Sequence, residues 1–366
     1  SSIEIWDLKN QNQIHSYKIE LEEIRKNFDI GSQPQLRHPV LLKDGSIIVT
    51  VVGGINPIIK LDKCGKYISG NNTEKFHHSL ELDKNNRIYS PIYLKSNSDF
   101  SKIGHGFVII DENLNIIKKF SLEEIFIENY LANDIDRPAH LNDVEPFISD
   151  DGNYLILLSL RNQHRILAFD PDENKIIWII DNALSLQHDI DIISEEESTI
   201  DISVFDNNRY KSLRKSYPYP EYSNNFHNLY ITFKDLPIKT DRILHLSTKE
   251  EHIKYGYSYN DFSFLEKEYR PKTPTQGLSD FIKENNSLMI EDSDNGYLFE
   301  VDTIEKKFLW QYVNKENGEK KINGVYNNGV KDGLWMSWYP TGVKQQFYLG
   351  AGFVSSIFSV WSSMAS

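Results

Sequence analysis

The sequence predicts an all-β protein built as a β-propeller. Three observations lead to this prediction. Aromatic residues make up 12% of the 366 residues, Ile and Val are frequent, and one pattern of strands and turns recurs along the chain. Aromatic and β-branched side chains favour strands over helices. Units of about four strands that recur at regular spacing are typical of propeller blades.

The clearest recurring feature is an apolar strand that ends in Asp, followed by a polar turn and a second apolar strand. It occurs at residues 57–68, 105–120, 165–178 and 297–310. Asp suits the end of such a strand because its carboxylate accepts hydrogen bonds from nearby backbone N–H groups of the turn. The pattern therefore predicts repeated antiparallel sheets.

The order of these features predicts where the blades begin. We place the starts near Arg37, His77, His140, His188 and Gln276. Residues 3–19 read as a β-hairpin left over at the N-terminus. In a ring fold such a hairpin completes the last blade, so that no strand edge is exposed. We therefore expect six blades, with five as the fallback, and pairing of this hairpin with strands from Val325 onward.

The last part of the chain differs in character, so we divide the protein into a propeller domain at 1–315, a hairpin segment at 316–349 and a tail at 350–366. Asn328-Gly329 and Asp332-Gly333 are strong hairpin turn signals. Their spacing resembles the short hairpin repeats of the MORN type and of bacterial antitoxin-like repeat proteins.

Composition limits the partners. The formal net charge is −13, which argues against nucleic acid as a partner. Cys64 is the single cysteine, so no internal disulfide forms. The mildly apolar segment at 350–365 is short and rich in Ser, so we predict no membrane span. The sequence leaves the oligomeric state open.

Polar residues lead three of the predicted blades in a similar way. His77-His78-Ser79, His140-Leu141-Asn142 and Gln187-His188-Asp189 each open an acidic and apolar alternation that continues as a strand. This register makes His78, Asn142 and His188 equivalent. The innermost strand of each blade lines the propeller axis, so we expect these side chains to converge in the central channel, with Arg161 at its mouth.

Purely structural interpretations of the same residues remain open. A lone His in a β protein is more often structural, Arg161 is explained equally by an ordinary salt bridge, and Asn142 and Asn207 by turns. Three His can also hold a transition metal, but an adjacent Arg opposes a cation. His, Asn and Arg together form a cradle of hydrogen-bond donors for an oxyanion. Six further histidines lack a repeated context and are treated as surface or core residues: His15, His105, His164, His227, His245 and His252.

The order of these residues, followed by Phe205-Asp206-Asn207, resembles the arylsulfate sulfotransferase family over residues 37–312. The resemblance implies a β-propeller that moves a sulfuryl group from one phenol to another without a nucleotide sulfate donor. By position, His188 matches the histidine that becomes transiently sulfated. The resemblance assigns the other residues to catalysis or to substrate binding: His78, His140 and Arg161 to the first, and Asn142, His77 and Asn207 to the second.

We therefore expect an enzyme that uses a small aryl sulfate donor and a phenolic or other hydroxyl acceptor, with no cofactor and no metal. The family is usually exported, which implies a periplasmic or otherwise exported protein. Two other interpretations stay open. One is a propeller that serves as a binding or scaffold module, and the other is a lyase or hydrolase that uses the same channel.

Overall fold

The computed structural model describes residues 2–7, 12–32, 34–94, 104–131, 134, 138–208, 227–266, 270–273, 277–283, 286–292, 297–313, 321–324, 326–327 and 330–331. Most of these residues lie in β-strands. The chain divides into two compact units, which are described separately. The first unit contains Ser1–Leu94, Phe107–Lys119 and Leu309–Ser366, and the second contains Lys95–Gly106 and Phe120–Phe308.

The first unit begins with a hairpin, a short helix and a four-stranded antiparallel sheet whose strands follow one another in sequence order. These elements are β1 (Ser2–Asp7), β2 (Asn12–Lys18), α1 (Leu21–Arg25), β3 (Gln35–Leu41), β4 (Ile47–Val52), β5 (Ile58–Leu61) and β6 (Tyr67–Asn71).

The N-terminal hairpin packs on the first sheet. Within the described residues, β1 and β2 pair only with each other. Ile3 and Tyr17 are buried in one hydrophobic cluster with Ile47 and Leu61 of the first sheet, and the Tyr17 hydroxyl donates to the Gly45 carbonyl at 2.9 Å. The predicted pairing with strands from Val325 onward is therefore not confirmed; among the described residues, the apolar face of the hairpin is buried against the first sheet.

The second sheet also belongs mainly to the first unit. Its short strands β7 and β8 both pair with β9, and β10 and β11 follow in order. Val40 and Ile48 of the first sheet pack with Phe76 and Val108 of the second, so the two sheets are stacked through a shared apolar layer. The strands are β7 (Lys75–Phe76), β8 (Glu81–Leu82), β9 (Ile88–Tyr93), β10 (His105–Ile110) and β11 (Ile116–Ser121).

The second unit opens with a short helix, whose N-terminus is capped by the Ser121 side chain, and continues as the third sheet. Four of its strands are antiparallel and consecutive. They are strongly apolar: every residue of β13 except Tyr154 is buried. The elements are α2 (Leu122–Glu128), β12 (Leu141–Ile148), β13 (Tyr154–Leu160), β14 (Arg165–Asp170) and β15 (Lys175–Ile180).

The fourth sheet follows in the second unit. A later short strand, β19 (Leu244–Leu246), adds to the third sheet by running parallel to β15. Strand β20 (Ser258–Asn260) pairs with β18 (Leu229–Pro237). Leu157 and Trp178 of the third sheet share a buried cluster with Ile202 and Phe233 of the fourth. The elements are β16 (His188–Glu196), β17 (Thr199–Asp206), β18 (Leu229–Pro237), β19 (Leu244–Leu246), α3 (Lys249–Lys254) and β20 (Ser258–Asn260).

The fifth sheet has five strands in sequence order, and a two-stranded hairpin follows it. Within the second unit, Phe205 of the fourth sheet packs with Leu288 and Phe299 of the fifth. Most of the segment 316–349 and all of the tail 350–366 lie outside the described residues, so the MORN-type resemblance stays a prediction. The strands are β21 (Leu278–Ile282), β22 (Ser287–Asp292), β23 (Tyr297–Asp302), β24 (Lys307–Val313), β25 (Lys321–Gly324), β26 (Tyr326–Asn327) and β27 (Val330–Lys331).

Asp residues at strand ends organise the turns, as the sequence predicts. The Asp62 Oδ1 atom accepts hydrogen bonds from the backbone N–H groups of Cys64 and Lys66 at 2.8 and 2.9 Å. Asp111, Asp170 and Asp302 make the same kind of contact in their own turns. A carboxylate that satisfies two turn N–H groups fixes the reversal between consecutive strands.

The fold is therefore all-β, with five sheets of propeller-blade type among the described residues. Their first strands are β3, β7, β12, β16 and β21, close to each predicted blade start. The count agrees with the fallback of five. No sixth sheet of four or more strands occurs in the described ranges, because the hairpin expected to complete it forms a two-stranded sheet of its own. No helix in the described part of the chain is long and apolar enough to cross a membrane.

Candidate functional site

The loop before β16 positions His188. The Leu186 N–H donates to His164 Nδ1 at 3.0 Å, and the Gln187 carbonyl accepts from Asn142 Nδ2 at 2.8 Å. These two hydrogen bonds connect the loop to the third sheet and hold the backbone on the N-terminal side of His188 in place. His164, which the sequence predicted to be a surface or core residue, supports the loop.

The hydrogen bonds of the His188 ring define its tautomer. Its Nδ1 atom lies 2.5 Å from Asn207 Oδ1 and 3.2 Å from the Leu186 carbonyl oxygen. Asn207 Nδ2 donates to the Thr273 carbonyl at 3.0 Å, which directs Oδ1 toward the imidazole. Both partners of Nδ1 are acceptors, so Nδ1 carries the proton and Nε2 has a free lone pair.

The surroundings of His188 keep its imidazole neutral. The side chain is buried, and burial together with the nearby Arg161 charge lowers its pKa to about 3, while the contact with Asn207 acts in the opposite direction. Burial penalises the charged form of a histidine, and a like charge does the same. At neutral pH the ring is therefore an uncharged base with Nε2 unprotonated.

His140 and Arg161 are neighbours of His188 in the second unit. The Arg161 N–H donates to the His140 carbonyl at 3.1 Å, so the start of β12 and the end of β13 are joined at these two residues. His140 has a left-handed backbone with φ of 50°, a conformation that is strained for a non-glycine residue and is concentrated at functional sites. Burial and Arg161 lower the pKa of His140 to about 4.

His105 belongs to the same group, although the sequence placed it among the surface or core residues. Its ring centroid lies 5.9 Å from that of His140, and burial together with His140 lowers its pKa to about 4. His105 begins β10, the strand after β9 within the second sheet, rather than the first strand of a sheet. The repeat register therefore contains no signal for it, and only the tertiary structure reveals the contact.

Asn142 contacts the backbone that leads to His188. One N–H of its amide is used by the Gln187 carbonyl, and its Oδ1 atom is buried without a hydrogen-bond partner in the described part of the chain. The strand register also corrects the predicted equivalence of Asn142 with His188. Asn142 is the extra residue of a β-bulge in β12, whereas the bulge in β16 falls on Asp189, so the equivalence is off by one residue.

His77 and His78 lie in the first unit. Their Nδ1 atoms are 2.7 Å apart, so one ring donates to the other. The His77 ring is 3.9 Å from that of Tyr93, and His78 has φ of 56°. His77 is therefore a buried partner of His78. The convergence of this pair with His188 stays a prediction.

Carboxylates that are buried or partly buried occupy β12 and β16, the first strands of the third and fourth sheets. Asp143 Oδ2 accepts from the Ile190 N–H at 2.7 Å, and Asp189 Oδ2 accepts from the Ser279 N–H at 2.6 Å, so each Asp bonds the first strand of the next sheet. Burial and neighbouring carboxylates raise the pKa values of Glu145, Asp189 and Asp191. No group of three or more His, Cys, Asp or Glu among the described residues has the arrangement of a metal site.

Several solved structures resemble this chain at low sequence identity. A protein of unknown function from Bacteroides caccae is 10% identical, with a TM-score of 0.48 over 85% of this chain and 92% of the other. Virginiamycin B lyase from Staphylococcus aureus is 11% identical, with a TM-score of 0.45 over 88% and 90%. A streptogramin B lyase is 11% identical, with a TM-score of 0.43 over 91% and 92%.

No curated protein sequence matches the chain. A protein-family model does match it: residues 38–315, well over half of the sequence, fit the model of arylsulfotransferase (ASST). The match includes all of the predicted site residues, from His77 to Asn207. The chain therefore belongs to the arylsulfotransferase family.

Proposed function

We propose that this protein transfers a sulfuryl group from an aryl sulfate ester to a hydroxyl acceptor, with His188 as the nucleophile. One observation supports this most directly. In a chain of the arylsulfotransferase family, His188 is a neutral imidazole whose Nδ1 is held by Asn207 and whose Nε2 is unprotonated. A positioned neutral imidazole is a competent nucleophile.

In the first half-reaction, the Nε2 lone pair of His188 attacks the sulfur of the aryl sulfate. The N–S bond forms while the S–O bond to the aryl group breaks, and its electron pair leaves with the phenolate oxygen. The ring becomes an N-sulfonated imidazolium, stabilised through its Nδ1–H by Asn207 Oδ1 at 2.5 Å. Sulfuryl transfer resembles phosphoryl transfer, in which catalysis is mostly positioning and charge stabilisation.

Arg161 supplies positive charge to this step. It lies near enough to lower the pKa values of both His188 and His140, so an anionic sulfate next to these rings is attracted to the same guanidinium. The sulfate charge also opposes the influence of Arg161 and favours protonation of His140. His140, with His105 beside its ring, is thereby suited to donate a proton to the departing phenolate.

In the second half-reaction, the oxygen of an acceptor hydroxyl attacks the sulfur of sulfo-His188. The acceptor proton passes to a neutral base, for which His140 is the candidate, the N–S bond breaks, and its electron pair returns to Nε2. Two transfers through one residue predict ping-pong kinetics. Neither half-reaction requires a nucleotide sulfate.

The contacts assign the two asparagines to positioning. Asn207 orients the His188 ring, and Asn142 holds the Gln187 carbonyl. Both were expected to bind substrate. We propose that they act through His188 and its loop, and that His77 and His78 contact the sulfuryl group as the family resemblance implies.

Intact mass spectrometry tests the proposal. The protein is mixed briefly with para-nitrophenyl sulfate and quenched, and a mass increase of one sulfuryl group is expected on the wild type and not on His188→Asn. His245→Asn provides a matched control, because His245 is exposed in β19. An adduct that persists in His188→Asn would refute the assignment of the nucleophile.

The acceptor separates the remaining alternatives. A transferase passes the label to an added phenol, whereas a hydrolase releases inorganic sulfate at the same rate with and without the phenol. A binding or scaffold module forms no adduct at all. On the same family resemblance we propose that the protein acts after export to the periplasm or beyond it, which fractionation of producing cells tests.

A further inference from the structure

Arg37 is a partly buried cation with a neutral partner. Its Nε and Nη2 atoms both donate to Gln35 Oε1, at 3.2 and 2.6 Å. In the described residues it forms no ion pair. A guanidinium removed from water is normally compensated by a carboxylate or another anion. Gln35 orients Arg37 without neutralising it.

Among the described residues, the groups around Arg37 supply no compensating charge. Burial lowers the pKa of Arg37 and raises that of Tyr93, and their mutual electrostatic influence acts against both changes. Burial also lowers the pKa of His38 to about 3, and the positive charge of Arg37 acts in the same direction. In the described part of the first unit, no carboxylate contributes to the altered pKa values of Arg37, His38 and Tyr93. Lys75 adds a second cation, with Nζ 5.7 Å from the Tyr93 ring centroid.

The backbone around Arg37 contains a β-bulge and a left-handed residue, two features that are frequent near functional sites. A β-bulge interrupts the pairing of β3 with β4 between Arg37 and Val40, and His38 within it has φ of 46°. Bulges re-aim side chains and are frequent next to active sites, and left-handed non-glycine residues are retained at ligand sites. His78, on the neighbouring sheet, has the same unusual backbone.

The hydrogen bonds leave one side of the guanidinium available. Gln35 Oε1 receives the Nε and Nη2 donors, and no described residue accepts from Nη1. The N–H groups of Nη1 and the second N–H of Nη2 form the planar pair that binds two oxygens of a carboxylate, sulfate or phosphate. The orientation set by Gln35 therefore prepares this edge for an oxyanion.

We propose that Arg37, oriented by Gln35 and accompanied by His38 and Tyr93, anchors an oxyanion-binding site in the first unit. Its ligand is a sulfate or sulfonate group, either as the free inorganic ion or as part of an aryl compound. This proposal rests on the proposed function for the identity of the ligand, because every sulfate ester carries a sulfate group of the kind that this site binds. The binding itself requires no group transfer.

Calorimetric titration with inorganic sulfate and with benzenesulfonate, in chloride buffer, tests the site. We expect the wild type to bind at least one of them and Arg37→Gln to weaken that binding by about tenfold or more, because charge-assisted bonds are lost. Arg37→Lys, which keeps the charge without the planar fork, should fall between the two. The tighter of the two ligands distinguishes the free ion from the aryl compound.

Arg87→Gln is the matched control. Arg87 lies in the same unit, but its Nε is paired with Asp83 Oδ2 at 2.6 Å, so its charge is already neutralised and its removal should leave binding unchanged. Thermal unfolding verifies that each variant is folded. The proposal is overturned if the wild type binds neither anion, if Arg37→Gln binds as the wild type does, or if Arg161→Gln alone abolishes binding. Absence of sulfation at His188 would refute the proposed function and leave this result standing.

Discussion

Replacing Asn207 tests how the nucleophile is held. In Asn207→Ala the Nδ1–H of His188 loses its partner at 2.5 Å and keeps only the Leu186 carbonyl at 3.2 Å. Leaving a buried donor unsatisfied costs about 1–3 kcal/mol. Because Leu186 remains as an acceptor, we expect the lower part of this range, which corresponds to roughly a 5- to 30-fold slower sulfation of His188.

The rate of adduct formation with para-nitrophenyl sulfate, followed by rapid quench and intact mass, measures this effect. Asn228→Ala is the control, since Asn228 Nδ2 donates to the same Thr273 carbonyl as Asn207 does, at 2.8 Å, and has no contact with the His188 ring. We expect Asn228→Ala to react near the wild-type rate. Equal slowing in both variants would mean that Asn207 acts only by supporting the loop at Thr273, and our reasoning would be refuted.

Asn207→Asp gives the same hypothesis a second, pH-dependent test. A carboxylate next to Nδ1–H favours the imidazolium and raises the pKa of His188. The wild-type pKa of about 3 means that ionisation of His188 itself adds no pH dependence to the sulfation rate between about pH 5 and 8, where the ring is fully neutral. Relative to the wild type at each pH, the rate of Asn207→Asp should fall as the pH is lowered through the raised pKa. A ratio of the two rates that does not change with pH would contradict the proposed contact.

Three further predictions concern charge, packing and the carboxylate of Glu145. Arg161→Ala should slow sulfation by about one to two orders of magnitude, from roughly 1.5–3 kcal/mol of lost charge-assisted bonding, with Arg161→Lys less affected, and addition of a chelator should change neither rate. Gly65→Ala should lower the free energy of unfolding in urea by more than Gly152→Ala. Both glycines have positive φ. A Cβ atom at Gly65 would meet backbone atoms of Lys18 at 2.6–2.9 Å, whereas a Cβ atom at Gly152 would meet nothing within 4 Å. Equal losses of unfolding free energy in the two variants would contradict the packing of the hairpin. In the folded protein, burial and nearby carboxylates raise the pKa of Glu145. The protonated side chain therefore contributes fully to stability below the unfolded pKa of about 4.3, and this contribution is lost as the pH rises toward the folded pKa. Calorimetry should show Glu145→Gln to be more stable than the wild type at pH 8 and equal to it near pH 4.

The sequence determined the local architecture of this protein. Asp at the end of a strand caps its own turn, as at Asp62 and Asp111, because the carboxylate bonds backbone groups only two to four residues away. Apolar runs such as 155–160 are buried because their hydrophobicity requires it. The leading residues His140 and His188 mark the starts of two sheets because polar residues interrupt the apolar pattern there. Short-range chemistry of this kind can be deduced from residue order alone.

The tertiary structure decided the features that depend on contacts between distant segments. The hairpin β1–β2 packs on the first sheet, because Ile3 and Tyr17 fit an apolar surface that is formed only when that sheet folds. The β-bulges at Asn142 and Asp189 shift the register by one residue, and a bulge is defined by how two residues of one strand face a single residue of its partner strand. No pattern along the chain predicts them.

The candidate site shows the same division. The sequence indicated the types of residue needed for sulfuryl transfer, since the family resemblance singled out His188, His140 and Arg161. Only the structure showed that Asn207 faces Nδ1 of His188 and that His105 lies beside His140. These relations arise from side chains that are 19 and 35 residues apart in sequence, and the orientation of a ring depends on the three-dimensional packing around it.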